Sequence, residues 1–206
     1  MNKIAVSLAA VLVSPLVAQA QDAFDGPALS YTYLEGGYER RFFDDGDLSD
    51  ANGFGAGFSV APLPFLFLTG ELHYASPTVS ILDSEEDVDF LDARLGAGLN
   101  VTILDTLSIY VEGGPAYRQL SSDAWERVSD ATMDDVGFYV EPGVRIGIAG
   151  RLELYAAGDF SRISDEDILG AKAGLILGLT DNFALTAGAT ANEQTSSVGV
   201  GIRLAW

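Results

Sequence analysis

The chain has no cysteine and one histidine, His73. No disulfide can hold it, no thiolate can act in it, and a cysteine or multi-histidine metal cage is excluded. Basic residues are scarce, with 11 Lys and Arg against 30 Asp and Glu and a formal charge of −19. That balance argues against nucleic acid or an anionic lipid surface as a partner, since both recruit clustered cations. Beyond the N-terminus no apolar run is long enough for a transmembrane helix, and the longest, such as residues 63–68, are strand-sized.

What the chain has instead is alternation. Residues 196–206 read S-S-V-G-V-G-I-R-L-A-W, with Val198, Val200, Ile202, Leu204 and Trp206 on one parity and Gly199, Gly201, Arg203 and Ala205 on the other. A period of two predicts a strand with one apolar face. The pattern recurs over 29–41, 53–61, 65–75, 88–103, 107–120, 136–148, 151–163, 168–180 and 183–191. Short turns are expected at 62–64, 104–106, 149–150 and 181–182, and longer, acidic or polar loops at 42–52, 76–87, 121–135, 164–167 and 192–195. Antiparallel strands joined by short turns on one rim and long loops on the other define the expected fold class. It is all-β: a closed antiparallel up-and-down transmembrane β-barrel of about ten strands, or eight if two weak segments are loop. The last strand would then pair antiparallel with the first, with both termini on the short-turn side.

Residues 1–20 read as an export signal. Lys3 supplies the positive start, residues 4–18 the apolar stretch, and Ala18-Gln19-Ala20 a small-x-small cleavage site. The expected organisation is a cleaved signal peptide over 1–20 and one barrel domain over 21–206.

The polar face of the strands is mostly Gly, Ala, Ser and Tyr, with charges of both signs spaced along it. Its acids are Glu35, Glu39, Glu71, Asp92, Glu112, Glu141, Glu153 and Asp159, and its bases Arg94, Arg118, Arg145, Arg151, Lys172 and Arg203. A face that collects most of the scarce bases is an interior, because desolvated carboxylates need partners. The apolar face then points outward into lipid. The predicted lumen charge network is Glu35, Glu71, Arg94, Glu112, Arg118, Glu141, Arg145, Glu153, Lys172 and Arg203. Counting along the strands puts Glu35, Glu71, Glu112, Glu141, Lys172 and Arg94 in a belt from mid-barrel upward. Tyr38, Phe42, Tyr74, Tyr117, Phe183 and Trp206 fall near strand ends, where interfacial girdles lie.

The chain resembles the small Gram-negative outer-membrane barrels of the OmpA/OmpX-like kind. The likeness is carried by Ser30 to Tyr38, which fit S-Y-x-Y-x-E-G-G-Y, and by the aromatic close. The last eight residues resemble the assembly signal of barrel precursors, with Gly201, Leu204 and Trp206 at matching spacing. Gly199 stands where that signal prefers a polar residue, and Trp206 replaces the commoner Phe. The resemblance implies export and residence in the cell outer membrane. It also implies periplasmic chaperones and the barrel assembly machinery as partners during biogenesis. Outer-membrane lipid and lipopolysaccharide are the expected lasting partners, and the barrel is expected to be a monomer.

The function expected is a structural or narrow-pore role for small ions or solutes, without catalysis, metal or cofactor. A hydrolase would have to use His73, with Glu71, Asp92 or a loop serine such as Ser76 as partner, and no nucleophile motif accompanies it. A surface adhesin would act through the acidic loops. Asp44-Asp45-Gly46-Asp47, the 83–87 run and Asp134-Asp135 could hold divalent cations, but none has calcium-loop spacing, and they read as solvated loops. Purified protein is expected to change its electrophoretic mobility on boiling, as closed barrels do. Solubility in buffer without detergent is the result that excludes the membrane reading.

Overall fold

The computed structural model describes residues 29–43, 49–81, 84–104, 106–122, 133–148, 151–164 and 166–206. The expected signal segment, the 44–47 acidic run, Asp83, residues 123–132 and the 149–150 turn lie outside the described residues.

Eleven strands occur among the described residues: β1 (Tyr33–Phe43), β2 (Ala51–Leu63), β3 (Leu66–Ala75), β4 (Thr78–Ile81), β5 (Ser84–Leu104), β6 (Leu107–Ser122), β7 (Met133–Ile148), β8 (Leu152–Ile163), β9 (Glu166–Gly178), β10 (Phe183–Asn192) and β11 (Thr195–Ala205). All but β4 form one closed antiparallel barrel. β1 pairs with β11 from Tyr33↔Ala205 to Phe43↔Thr195, and β3 with β5 from Leu66↔Leu99 to Ala75↔Phe90. The expected ten strands and the closure of the last strand on the first are both found.

Two segments differ from expectation. The 76–87 loop contains β4, paired with the start of β5 from Thr78↔Asp87 to Ile81↔Ser84. Its β-branched, alternating T-V-S-I favours a strand over a free loop. The first short turn lies at Pro64-Phe65 rather than over 62–64, with a register shift between Val60 and Leu63.

Alternation decides what each face carries. Along β7, Val136 and Phe138 are 69% and 46% exposed, whereas Tyr139 and Glu141 are each 1% exposed. Polar pairs lie at the long-loop end of the outer face, where Tyr38 Oη donates to Asn52 Oδ1 at 2.6 Å and Tyr74 Oη to Asp89 Oδ1 at 2.5 Å. At the other rim, Phe65 and Trp206 are exposed, and the Trp206 amide donates to the Thr32 carbonyl at 3.3 Å. Arg151, assigned inward from its parity, belongs to this rim. It donates to the Leu179 carbonyl at 2.9 Å and lies 3.8 Å from Asp181, because it precedes β8 and escapes the strand's alternation.

Two prolines stand within strands on the lipid side. The β5–β6 ladder passes from Arg94↔Ala116 to Ala97↔Gly113 around Pro115. The β7–β8 ladder passes from Val140↔Phe160 to Gly143↔Ala157 around Pro142. Proline has no N–H to contribute at these steps.

Inward glycines make room for rings. The Phe67 ring occupies the space a Cβ at Gly98 would need, and the Tyr110 ring does the same at Gly143. Gly98→Val or Gly143→Val should therefore cost about 1–3 kcal/mol of barrel stability, through overpacking. Gly36 faces outward with its nearest obstacle at 3.7 Å, and Gly36→Val should stay within about 0.5 kcal/mol of wild type. Urea unfolding in lipid vesicles measures both.

Candidate lumenal site

The small bore brings side chains from opposite walls into contact, and they stack in three groups along the axis. At the short-turn end, Arg145 of β7 and Glu153 of β8 form a double hydrogen bond, at 2.6 Å from Nε and 3.0 Å from Nη2. Glu153 is fully buried. The segment preceding β1 lies over this pair, with Tyr31 packed among Phe67, Tyr110 and Ala157.

The middle group is built around Lys172 of β9. Its Nζ lies 2.7 Å from Glu141 and 3.5 Å from Glu71, so one ammonium joins β3, β7 and β9 across the lumen. Tyr110 Oη donates to the other Glu141 oxygen at 2.9 Å, and Tyr139 Oη donates to Glu112 at 3.3 Å. Glu112 and Glu141 stand opposite each other on β6 and β7, so two carboxylates share this level with Glu71 while, among the described residues, Lys172 is the cation bonded there. Beside this group Arg203 Nη2 donates to Glu35 at 2.7 Å, its guanidinium 3.7 Å from the Tyr33 ring centre.

The upper group is a chain of pairs. Asp92 accepts from Arg41 at 3.2 Å and from Arg118 at 3.1 Å, and Arg41 reaches Glu39 at 3.0 Å. Both guanidiniums lie over the Phe90 ring, at 4.8 and 5.3 Å. Arg94 is ion-paired with Asp159 across the bore. His73 Nδ1 is 3.0 Å from Glu39 Oε2. Ser76, a serine that a hydrolase would need, instead bonds Asp89 at 3.3 Å.

The structure thus brings Glu71, Glu112, Glu141 and Lys172 of the expected belt to one level and engages Glu35 and Arg94 in separate ion pairs. Glu35 with Arg203, Arg118 with Asp92, and Arg145 with Glu153 form separate pairs, and Arg94, although opposite Glu71 in the β3–β5 register, turns to Asp159 across the bore. Of the residues matched to the assembly signal, Gly201 faces inward, where a Cβ would meet the Gly36 carbonyl at 2.7 Å, while Leu204 and Trp206 are exposed on the outside. The predicted network left out Arg41, Tyr110 and Tyr139, although the alternation puts both tyrosines on the inward parity. Their shared parity with the inward acids was the signal that could have found them.

Filling is uneven around the circumference. A cavity of about 250 Å³ runs between the charged upper groups on one side and a low wall on the other. That wall includes Gly37, Gly57, Gly188, Ser197, Gly199 and Gly201, from β1, β2, β10 and β11. Its backbone and hydroxyls leave a polar track beside the ion pairs.

An antiparallel barrel with no open edge, apolar outside and charged within, is a transmembrane barrel of the outer-membrane class. The model of the outer membrane protein beta-barrel domain matches residues 6–203, and the chain belongs to that family. It is a small outer-membrane barrel and resides in the cell outer membrane. No curated protein matches it. Among solved structures it is similar to the translocator domain of the autotransporter NalP from Neisseria meningitidis, at 12% identity over 87% of this chain and 90% of that one, with a TM-score of 0.55. It is similar to the KdgM porin at 9% identity, over 84% and 99% of the two chains, with a TM-score of 0.50. OprG from Pseudomonas aeruginosa shows 11% identity over 89% and 99%, with a TM-score of 0.46. At such identities the likeness is one of fold.

Removing one partner of a buried pair strands the other charge. Arg145→Ala should cost about 3–5 kcal/mol, whereas Arg145→Met combined with Glu153→Leu should cost clearly less than the two single changes summed. A double-mutant cycle on unfolding free energies reads the difference.

Proposed function

We propose that this protein is a narrow outer-membrane pore for small ions or solutes, whose selectivity is set by the lumenal acid–base pairs. The observation that carries this reading is the cavity left between the charged groups and the glycine-rich wall. A barrel evolved only as a scaffold could fill that wall with bulky side chains, as it does at Phe67 and Tyr110. The fold is one that porins use, KdgM among them. A hydrolytic role lacks support: among the described residues His73 is engaged by Glu39, and Ser76 bonds Asp89. The barrel works without cofactor or metal and as a monomer. Lipid and lipopolysaccharide surround it, and the assembly machinery inserts it.

Lys172 is the selectivity residue in this reading, since among the described residues it is the one that ion-pairs with Glu71 and Glu141. In planar bilayers Lys172→Ala should enlarge the unitary conductance steps and move the reversal potential under a salt gradient toward cation preference. Glu71→Gln should move it the opposite way. Silence in wild type, in Lys172→Ala and in the Tyr31→Gly variant described below leaves a scaffold role and overturns the pore.

A further inference from the structure

The short-turn mouth of the lumen is closed by chain that belongs to no strand. Residues 29–32 precede β1 and enter the bore, where Leu29 and Tyr31 are 9% and 5% exposed. We propose that this segment is a removable plug, seated on the Arg145–Glu153 pair, and that its withdrawal opens the lumen to the periplasmic side. The proposal rests on the pore reading above.

The seat is specific. The Leu29 amide donates to Glu153 Oε2 at 2.6 Å, and Arg145 Nη1 donates to the Ser30 carbonyl at 3.1 Å. The Arg145 guanidinium lies 4.4 Å from the Tyr31 ring centre, and the ring packs at 4.8 Å against Phe67. Tyr31 Oη shares a 2.9 Å hydrogen bond with Ser108 Oγ. Ser59 Oγ of β2 also donates to the Tyr31 carbonyl at 2.7 Å, so the segment touches β2, β3, β6, β7 and β8.

The plug is also built to leave. A barrel strand is held by a ladder on both sides, whereas this segment is held largely by side chains. Leu29 has φ of 68°, in the left-handed region that a branched residue rarely adopts, so its backbone relaxes on release. The seat survives departure, because Arg145 and Glu153 keep both of their mutual hydrogen bonds and neither charge is stranded. Beyond Thr32 the chain is fixed: the Thr32 Oγ1 accepts from the Ala61 amide at 3.1 Å and its carbonyl from the Trp206 amide. The Tyr31 carbonyl is held too, by Ser59 Oγ, so the hinge falls at Tyr31 itself, ahead of its carbonyl.

The native chain has no cysteine, so Ser108→Cys places a single thiol beneath the plug, and because it replaces the hydroxyl that bonds Tyr31 its rates are compared only among proteins that carry it. The test reconstitutes the full barrel with Ser108→Cys and follows reaction with a small, charged, membrane-impermeant thiol reagent. Tyr31→Gly and Leu29→Gly release the plug without altering the wall, and the boiling-dependent gel shift checks that each variant is folded. Labelling of Ser108→Cys should be slow alone and at least about tenfold faster with Tyr31→Gly, as for any group protected by a local opening equilibrium. Conductance events should become more frequent in parallel. Equal labelling rates with and without the plug changes overturn the plug, whether or not current flows. Faster labelling without any current upholds the plug and overturns the pore reading instead.

Discussion

In hydrocarbon no water is available to a backbone amide, so every N–H and C=O that faces the bilayer must find its partner within the chain. For strands the solution is closure, and here closure depends on one seam: β1 against β11, eleven residue pairs from Tyr33↔Ala205 to Phe43↔Thr195. The seam joins the two ends of the barrel sequence. The remaining barrel ladders are between strands that follow one another, apart from the step over β4. The two in-strand prolines interrupt this accounting locally, each between long strands with continuous pairing on either side.

Closure then turns a periodicity into a sorting rule. One parity meets lipid and is apolar, and the other meets a bore too narrow for bulk water to solvate every charge. The scarce bases are spent there. Arg41, Arg94, Arg118, Arg145, Lys172 and Arg203 all bond carboxylates across or along the lumen. Arg40, Arg151 and Arg162 are half exposed and pair outside it. Because the pairs cluster on some strands and glycine occupies the others, the interior is a charged side facing a bare one, and the cavity follows the bare side. At the short-turn end, residues 29–31 rest on an aromatic and ion-pair seat of their own.

Much of this was legible from alternation alone: the number of barrel strands, the pairing of first with last, and the inward parity of Glu35, Glu71, Glu141, Lys172 and Arg203. β4 was not, since four residues inside an acidic stretch carry too short a pattern to register as a strand. Arg151 was misplaced because it sits one residue before β8, where parity no longer governs direction. Arg41, at the end of an expected strand, was given no parity, although Glu39 two residues earlier shares its face and its ion pair. The seating of residues 29–32 lay outside pattern reading altogether, since they continue an alternation without continuing the ladder.

By itself the sequence determined which residues face lipid and which face the lumen, because side-chain direction in a strand repeats every two residues whatever the neighbours are. It determined with equal force that the chain must close, because alternation of this kind leaves no face fit for water. Only the tertiary structure decided who pairs with whom. Tilt and stagger set the height at which each inward side chain arrives, so Lys172 meets Glu71 and Glu141 from strands far apart in the chain, while Arg94 meets Asp159 rather than joining them. The same stagger set where glycines meet rings and where they leave a track, and it placed Arg145 and Glu153 where the segment before β1 could settle on them.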